Sequence, residues 1–289
     1  MKKKMLCAVL TTAAVLSMTA CGSKPAETAA PAETKAAEET KEEAEAETEA
    51  AAETEAAVEG TLIVGFDQDF PPMGCVGDDG NYTGFDLDLA QEVAKRLNLE
   101  YKPQPIAWDS KDMELESGNV DCIWNGFTMN GREDDYTWSE PYMENTQVFV
   151  VSSDSGISTL ADLAGKIVEV QTDSSAEAAL KEDPELSGSF GQLLVTADYN
   201  TAFMDLEQGA VDAIAMDVIV AGYQIKQRNA DFVILDETLA AEEYGIGFKK
   251  GNTELRDKVQ GALEEMAADG TLTKISEEWF GEDVTTIGK

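Results

Sequence analysis

Apolar positions in this chain recur with two periods that take turns. Leu62, Ile63, Val64 and Phe66 form a short run closed by the polar loop Asp67 to Pro72, whereas Phe85, Leu89, Val93 and Leu97 return every four residues. The first pattern predicts a strand over 62–66, and the second an amphipathic helix over 86–97 whose Asp86 and Asp88 favour the positive end of its dipole. Strands are also expected at 101–106, 120–124, 148–151, 167–170, 211–216 and 232–235. Helices are expected at 113–117, 201–208, 255–266 and 272–280, with a helical turn at 159–163 and a helix opening at Ser174 and Ser175 and running to Leu180. Asp78-Asp79-Gly80-Asn81 has hairpin-turn chemistry, and Gly270 is a helix stop. Strand and helix in rotation predict an α/β fold with mainly parallel sheets flanked by helices. Two similar rounds and a late return at 245–248 predict two lobes joined by two crossings.

The first 59 residues break this rhythm. Lys2 to Lys4 precede an apolar run from Leu6 to Met18 that is too short to span a bilayer, so residues 1–20 read as a signal peptide. Ala20-Cys21-Gly22-Ser23 is similar to a bacterial lipobox, with Met18 where Leu is usual, which makes Cys21 the expected lipidation site. Residues 24–59 carry twelve Glu and three Lys, and Val58 is their one sizeable aliphatic. That is too little apolar surface to offset the entropy of ordering, so residues 21–59 are expected to be a lipidated Cys followed by a disordered acidic tether.

Composition removes several classes of function. A formal charge of -36 argues against nucleic-acid or anionic-membrane partners, which need Lys and Arg stripes. The absence of any His excludes Ser-His-Asp and Cys-His mechanisms and every His-ligated zinc or haem. The cluster at 78–81 lacks the ligand spacing of a calcium loop, and no cofactor or metal is expected. Of four cysteines, Cys7 leaves with the signal and Cys21 is the lipid site. Cys75 and Cys122 are expected to be two buried free thiols.

Candidate chemistry concentrates between Gly118 and Tyr142. Val120, Cys122, Ile123 and Trp124 predict a buried strand bounded by Gly126, after which the chain turns abruptly polar. Open α/β sheets bind ligands at the carboxyl ends of their strands. There Thr128 offers a hydroxyl and an amide, and Arg132 a planar fork of donors that suits a carboxylate.

From Thr61 to Gly281 the chain resembles the polar-amino-acid family of solute-binding proteins that serve ABC importers. The resemblance is carried by eight ordered blocks: VGFDQDFPPM, GFDLDLA, AWDSKDMELESGNVD, GFTMNGREDDYTWSEPYM, LADLAGK, VDAIAMD, YGIGFKKG and GTLTKISEEWFG. The turn before Arg132 is one residue shorter than the family's, although Arg132 keeps its spacing of seven residues before Ser139. The resemblance implies a two-lobed periplasmic-binding-protein-like fold, with lobe 1 formed by 60–149 and 246–289 and lobe 2 by 150–245. It implies that Arg132 and Thr128, with Ser174 and Ser175 at a helix N-terminus, hold the α-carboxylate of a free L-amino acid. Asp217 and the Gly126 carbonyl would then take the α-ammonium, and Asp67, Phe70, Trp108 and Gln171 would surround the side chain. Asn125 is read as packing.

The implied partners are the amino acid and the permease subunits that receive it after hinge closure. The protein would be an extracytoplasmic monomer held at the cell membrane only through its lipid. The ligand side chain stays open among arginine, lysine, ornithine, glutamine and cystine. Two other readings belong beside this one: a dehydratase or lyase on the same fold using a pocket carboxylate, and a sensing module that passes a ligand signal to a membrane receptor.

Overall fold

The first apolar run becomes β1 (Thr61–Phe66), and the loop after it carries a small antiparallel sheet of β2 (Asp69–Phe70), β3 (Gly74–Val76) and β4 (Tyr82–Thr83). The four-residue recurrence becomes α1 (Phe85–Arg96), which buries Phe85, Leu89 and Val93 on one face. Next come β5 (Glu100–Pro105), α2 (Lys111–Ser117), β6 (Cys122–Thr128), β7 (Thr137–Trp138) and the long β8 (Met143–Ser152). The second round consists of β9 (Ile167–Gln171), α3 (Ser175–Glu182), α4 (Pro184–Ser187), β10 (Gln192–Thr196), α5 (Tyr199–Glu207), β11 (Ala213–Asp217), α6 (Val218–Arg228) and β12 (Phe232–Ile234). After the return strand β13 (Ala240–Phe248), α7 (Thr253–Asp269) and α8 (Thr271–Phe280) meet at Gly270, whose φ of 83° only glycine adopts cheaply. This computed structural model describes residues 60–289. The expected signal peptide, Cys21 site and tether lie outside the described residues.

The main sheet runs in the order β10-β9-β11-β8-β13-β6-β1-β5, with β12 added to β8 and β7 to β13. Its ends are two parallel triplets, β5-β1-β6 and β10-β9-β11, each with its earliest strand in the middle. The expected α/β fold with mainly parallel sheets is therefore present, joined by antiparallel strands. Register explains where the triplets point. β6 pairs with the second half of β13 and ends with Thr128 opposite Tyr244, while β11 pairs with the second half of β8 and ends with Asp217 opposite Gln147. The first halves, 143–147 and 240–244, pair with each other. The carboxyl ends of β6 and β11 are thus aimed at one another across that short two-strand segment.

Strand alternation divides the core. Cys122 and Trp124 face a cluster shared with α1, α5, α6, α7 and α8, whereas Ile123 and Phe127 face Trp108, Leu115, Tyr136 and Trp138. Val168 and Val170 join Leu163, Ala176 and Leu180 in a third cluster.

Three expectations need correction. β6 does not stop before Gly126 but continues to Thr128, because Trp124, Asn125 and Gly126 bulge opposite Ile246 and Gly126 absorbs the bend at φ 56°. β10 and α6 were not anticipated, since the apolar opening Val218-Ile219-Val220 of α6 lacks a helical period. Cys122 is free and buried, but Cys75 is disulfide-bonded, so the pair is not two free thiols.

Candidate ligand-binding site

Where the two triplets face each other lies one cavity, lined by Asp67, Phe70, Trp108, Asn125, Gly126, Thr128, Arg132, Gln171, Ser174, Ser175 and Asp217. All ten positions marked in the sequence reach this one cavity. Asn125, expected only to pack, is the eleventh: its Oδ1 accepts the Asp67 backbone N–H at 2.7 Å and so fixes the loop after β1 to β6.

The bulge in β6 shapes the wall. At Gly126 a Cβ would come within 3.1 Å of the Tyr244 ring and 3.2 Å of the Phe70 ring, so a side chain there would have to push the rings back by a few tenths of an ångström and hold a strained left-handed backbone. Its N–H is donated at 2.6 Å to Asp86 Oδ2, which also accepts from the Tyr142 hydroxyl at 2.9 Å. Asp86 stands in the first turn of α1, as expected, and its carboxylate also serves this wall. It is fully buried, and burial raises its pKa to about 7.

Donors cluster at one end. Arg132 is half-buried, and its guanidinium lies 5.3 Å from the Phe127 ring centre while donating to the Thr128 carbonyl and the Asp173 carbonyl, each at 3.2 Å. Ser174 caps α3 by accepting from the Glu177 N–H at 3.1 Å, so the helix opens on the cavity with its positive dipole end. Asp173 precedes it in a left-handed conformation, φ 56°. Its carbonyl gathers donors from the other triplet's side: Trp108 Nε1 at 3.2 Å and Lys111 Nζ at 3.4 Å, besides Arg132. Lys111 also forms an ion pair with the Asp173 carboxylate.

Acids occupy two further places. Asp217 Oδ1 accepts from Asn145 Nδ2 at 2.7 Å, Gln147 Nε2 at 2.7 Å and Tyr244 Oη at 2.6 Å. Glu242, equally buried, takes second bonds from the same two amides. Burial first, and then the charge of Glu242, hold Asp217 well above the usual carboxylate range. Asp67 accepts from the Asp69 N–H at 2.8 Å and from Gln171 Nε2 at 2.7 Å, and its burial raises it to about 7. Phe70 stacks obliquely on Tyr199, and Trp108 meets Phe127 edge-on.

Sequence reading missed Asn145, Gln147, Glu242 and Tyr244. The signal was present as polar residues spaced by two, Asn145 and Gln147 in β8 and Glu242 and Tyr244 in β13, all on buried faces of strands. The finished arrangement sets anion-binding donors and buried acids in one small chamber, which suits a ligand carrying both charges.

Residues 62–282 match the sequence profile of bacterial extracellular solute-binding proteins, family 3. The L-cystine-binding protein TcyJ of Escherichia coli (strain K12) is 36% identical over 230 residues, 78% of this chain and 85% of that protein. The arginine-binding extracellular protein ArtP of Bacillus subtilis (strain 168) is 34% identical over 227 residues, 76% of this chain and 86% of its own. Among solved structures, an ABC uptake transporter substrate-binding protein from Streptococcus pneumoniae with bound histidine superimposes with a TM-score of 0.76 at 35% identity, covering 78% of this chain and 94% of the other.

Proposed function

Because this chain belongs to the bacterial extracellular solute-binding proteins of family 3, we propose that it is the substrate-binding component of an ABC amino-acid importer, capturing one free polar or basic L-amino acid. The observation that carries this reading is the convergence of Arg132, Thr128, the α3 N-terminus and Asp217 on one cavity, since a zwitterion stripped of water needs both charges matched. Arg132, Thr128, Ser174 and Ser175 hold the α-carboxylate, and Asp217 and the Gly126 carbonyl hold the α-ammonium. Asp67, Phe70, Trp108 and Gln171 enclose the side chain.

Residues 60–149 with 246–289 form one lobe and 150–245 the other, hinged where β8 and β13 pair with each other. Closure favours the liganded state because the ligand bridges both lobes. The closed monomer, tethered through lipid on Cys21, presents itself to permease subunits. Catalysis plays no part, because the buried acids are matched to the ligand's charges rather than set out as an acid and base.

Calorimetry against the twenty L-amino acids with ornithine and cystine tests the reading. One or a few tight binders and unchanged ligand are expected; recovery of a converted product would replace the transport reading with the lyase one.

A further inference from the structure

Asp217 and Glu242 are two buried carboxylates that share their donors. Asn145 Nδ2 lies 2.7 Å from Asp217 Oδ1 and 2.6 Å from Glu242 Oε1, and Gln147 Nε2 lies 2.7 Å from each. Two oxygens tied to the same two nitrogens are close neighbours, and both residues are less than a tenth exposed. No lysine or arginine among the described residues is ion-paired to either.

The groups that face the pair from each side bring no positive charge. β8 contributes the neutral amides, β13 contributes Tyr244, and α5 contributes Tyr199. α3 reaches the pair only through Ser175, whose Oγ accepts from Gln147 Nε2 at 3.0 Å. Arg132 lines the same cavity but gives its bonds to two backbone carbonyls. Two like charges so close in a water-poor site do not both ionise.

We propose that Asp217 and Glu242 act as one unit holding a single proton at neutral pH, so that Glu242 is a positioning residue that sets the charge offered to the ligand's ammonium at one. The ammonium part rests on the amino-acid reading; the shared proton does not. One negative charge from the pair and one positive charge from Arg132 match a zwitterion, whereas a doubly ionised pair would leave the closed site with an unbalanced charge. The linkage has a definite sign. Asp217 is raised above its unfolded value, so its contribution to stability is complete below the ordinary carboxylate range and is lost as pH rises through the folded value.

Infrared difference spectra of the ligand-free protein at pH 7 test the unit directly. The difference between parent and Glu242→Gln should show one neutral carboxyl C=O band lost from the pair, and the difference between parent and Glu243→Gln, whose side chain is exposed, should not; the neutral carboxyls of Asp67 and Asp86, raised by burial in all three proteins, cancel. Should Glu242→Gln fail to fold, Asp217→Asn serves in its place, and the band of the pair should be lost there as well. The loss of thermal stability as pH rises above the ordinary carboxylate range should also flatten in Glu242→Gln. In calorimetry with L-arginine, L-cystine and L-histidine, Glu242→Gln should stay within about tenfold of the parent while Asp217→Asn loses about a thousandfold. An unchanged neutral-carboxyl band in Glu242→Gln overturns the proposal, as does a loss of binding equal to that of Asp217→Asn. If none of the three amino acids bound, the transport reading would be in difficulty, and the ligand-free spectra would still decide the pair.

Discussion

Asp217 closes an outer strand of one triplet and Asp67 follows the middle strand of the other, each at the carboxyl end of a buried strand, each nearly inaccessible, and neither ion-paired to a lysine or arginine among the described residues. Their seats differ in origin. All three donors to Asp217 stand on β8 and β13, the strands that cross between the triplets. Asp67 takes one donor from its own loop, and its other, Gln171, comes from the end of β9 in the opposite triplet. The first seat is built entirely from strands of the one sheet. The second is complete only when the triplets face each other as here. A scaffold that recognises an unchanging head group and a variable side chain gains by this division, since loops can be altered at Asp67 without disturbing the strands that orient Asp217.

The largest expected effect breaks the fixed seat. Asp217→Asn leaves an ammonium without its charge partner, which costs about 3–5 kcal/mol, on the order of a thousandfold in affinity for every amino acid. Arg132→Ala should cost a similar amount by stranding the carboxylate, and Thr128→Ala much less. Titration calorimetry reads all three. A loss within tenfold for Asp217→Asn would mean that the head group sits elsewhere and that the two acids do not divide the ligand as described.

The adaptable seat should give smaller and selective losses. Asp67→Asn turns a charge-assisted bond into a neutral one, about 1–2 kcal/mol, for arginine or lysine but not for glutamine. Equal losses for basic and neutral ligands would reduce Asp67 to a shaper of its loop. The same variant has a signature without ligand. Asp67 is raised to about 7 by burial, so its stabilising contribution is present below the ordinary carboxylate range and fades as pH rises through about 7. The Tm of the parent should therefore fall between about pH 4 and 7, and that of Asp67→Asn should fall less.

The asymmetry between the two seats also marks what a sequence can disclose. Thr128 was legible because it follows a run of apolar residues, and carboxyl ends of strands are where α/β sheets bind; Asp67, Gln171 and Asp217 came from the family resemblance, and the fold sets each at the end of a strand. Arg132 followed from donor chemistry at a turn, and Ser174 and Ser175 from the resemblance, which places them at a helix start. Asn145, Gln147 and Glu242 were not legible as site residues because they sit in the middle of strands, where register against β11 and between β8 and β13 decides what they touch. Asp86 was legible only in part: it lies in the first turn of α1 as the dipole argument expects, and only the fold brings Gly126 and Tyr142 over it. The bulge that makes that approach possible depends on pairing with β13, more than a hundred residues later.

The smallest expected effect concerns the contacts that hold the triplets face to face without touching the cavity. Lys111 is buried along its stem, ion-paired to Asp173 and 5.1 Å from the Trp108 ring centre, yet it does not line the cavity. Lys111→Met keeps the stem's apolar volume and removes the charge. Asp173 is half exposed, so water screens the pair and also solvates the carboxylate left behind, which limits the cost to about 0.2–1 kcal/mol, at most about fivefold. The Asp173 carbonyl keeps its bonds from Trp108 and Arg132. Because the lost energy belongs to the facing arrangement rather than to any ligand, every amino acid should weaken by the same factor, and the salt dependence of affinity should shrink with it. A loss confined to one ligand would place Lys111 among the groups that read the side chain, and the division between a fixed seat and a closing one would have to be redrawn.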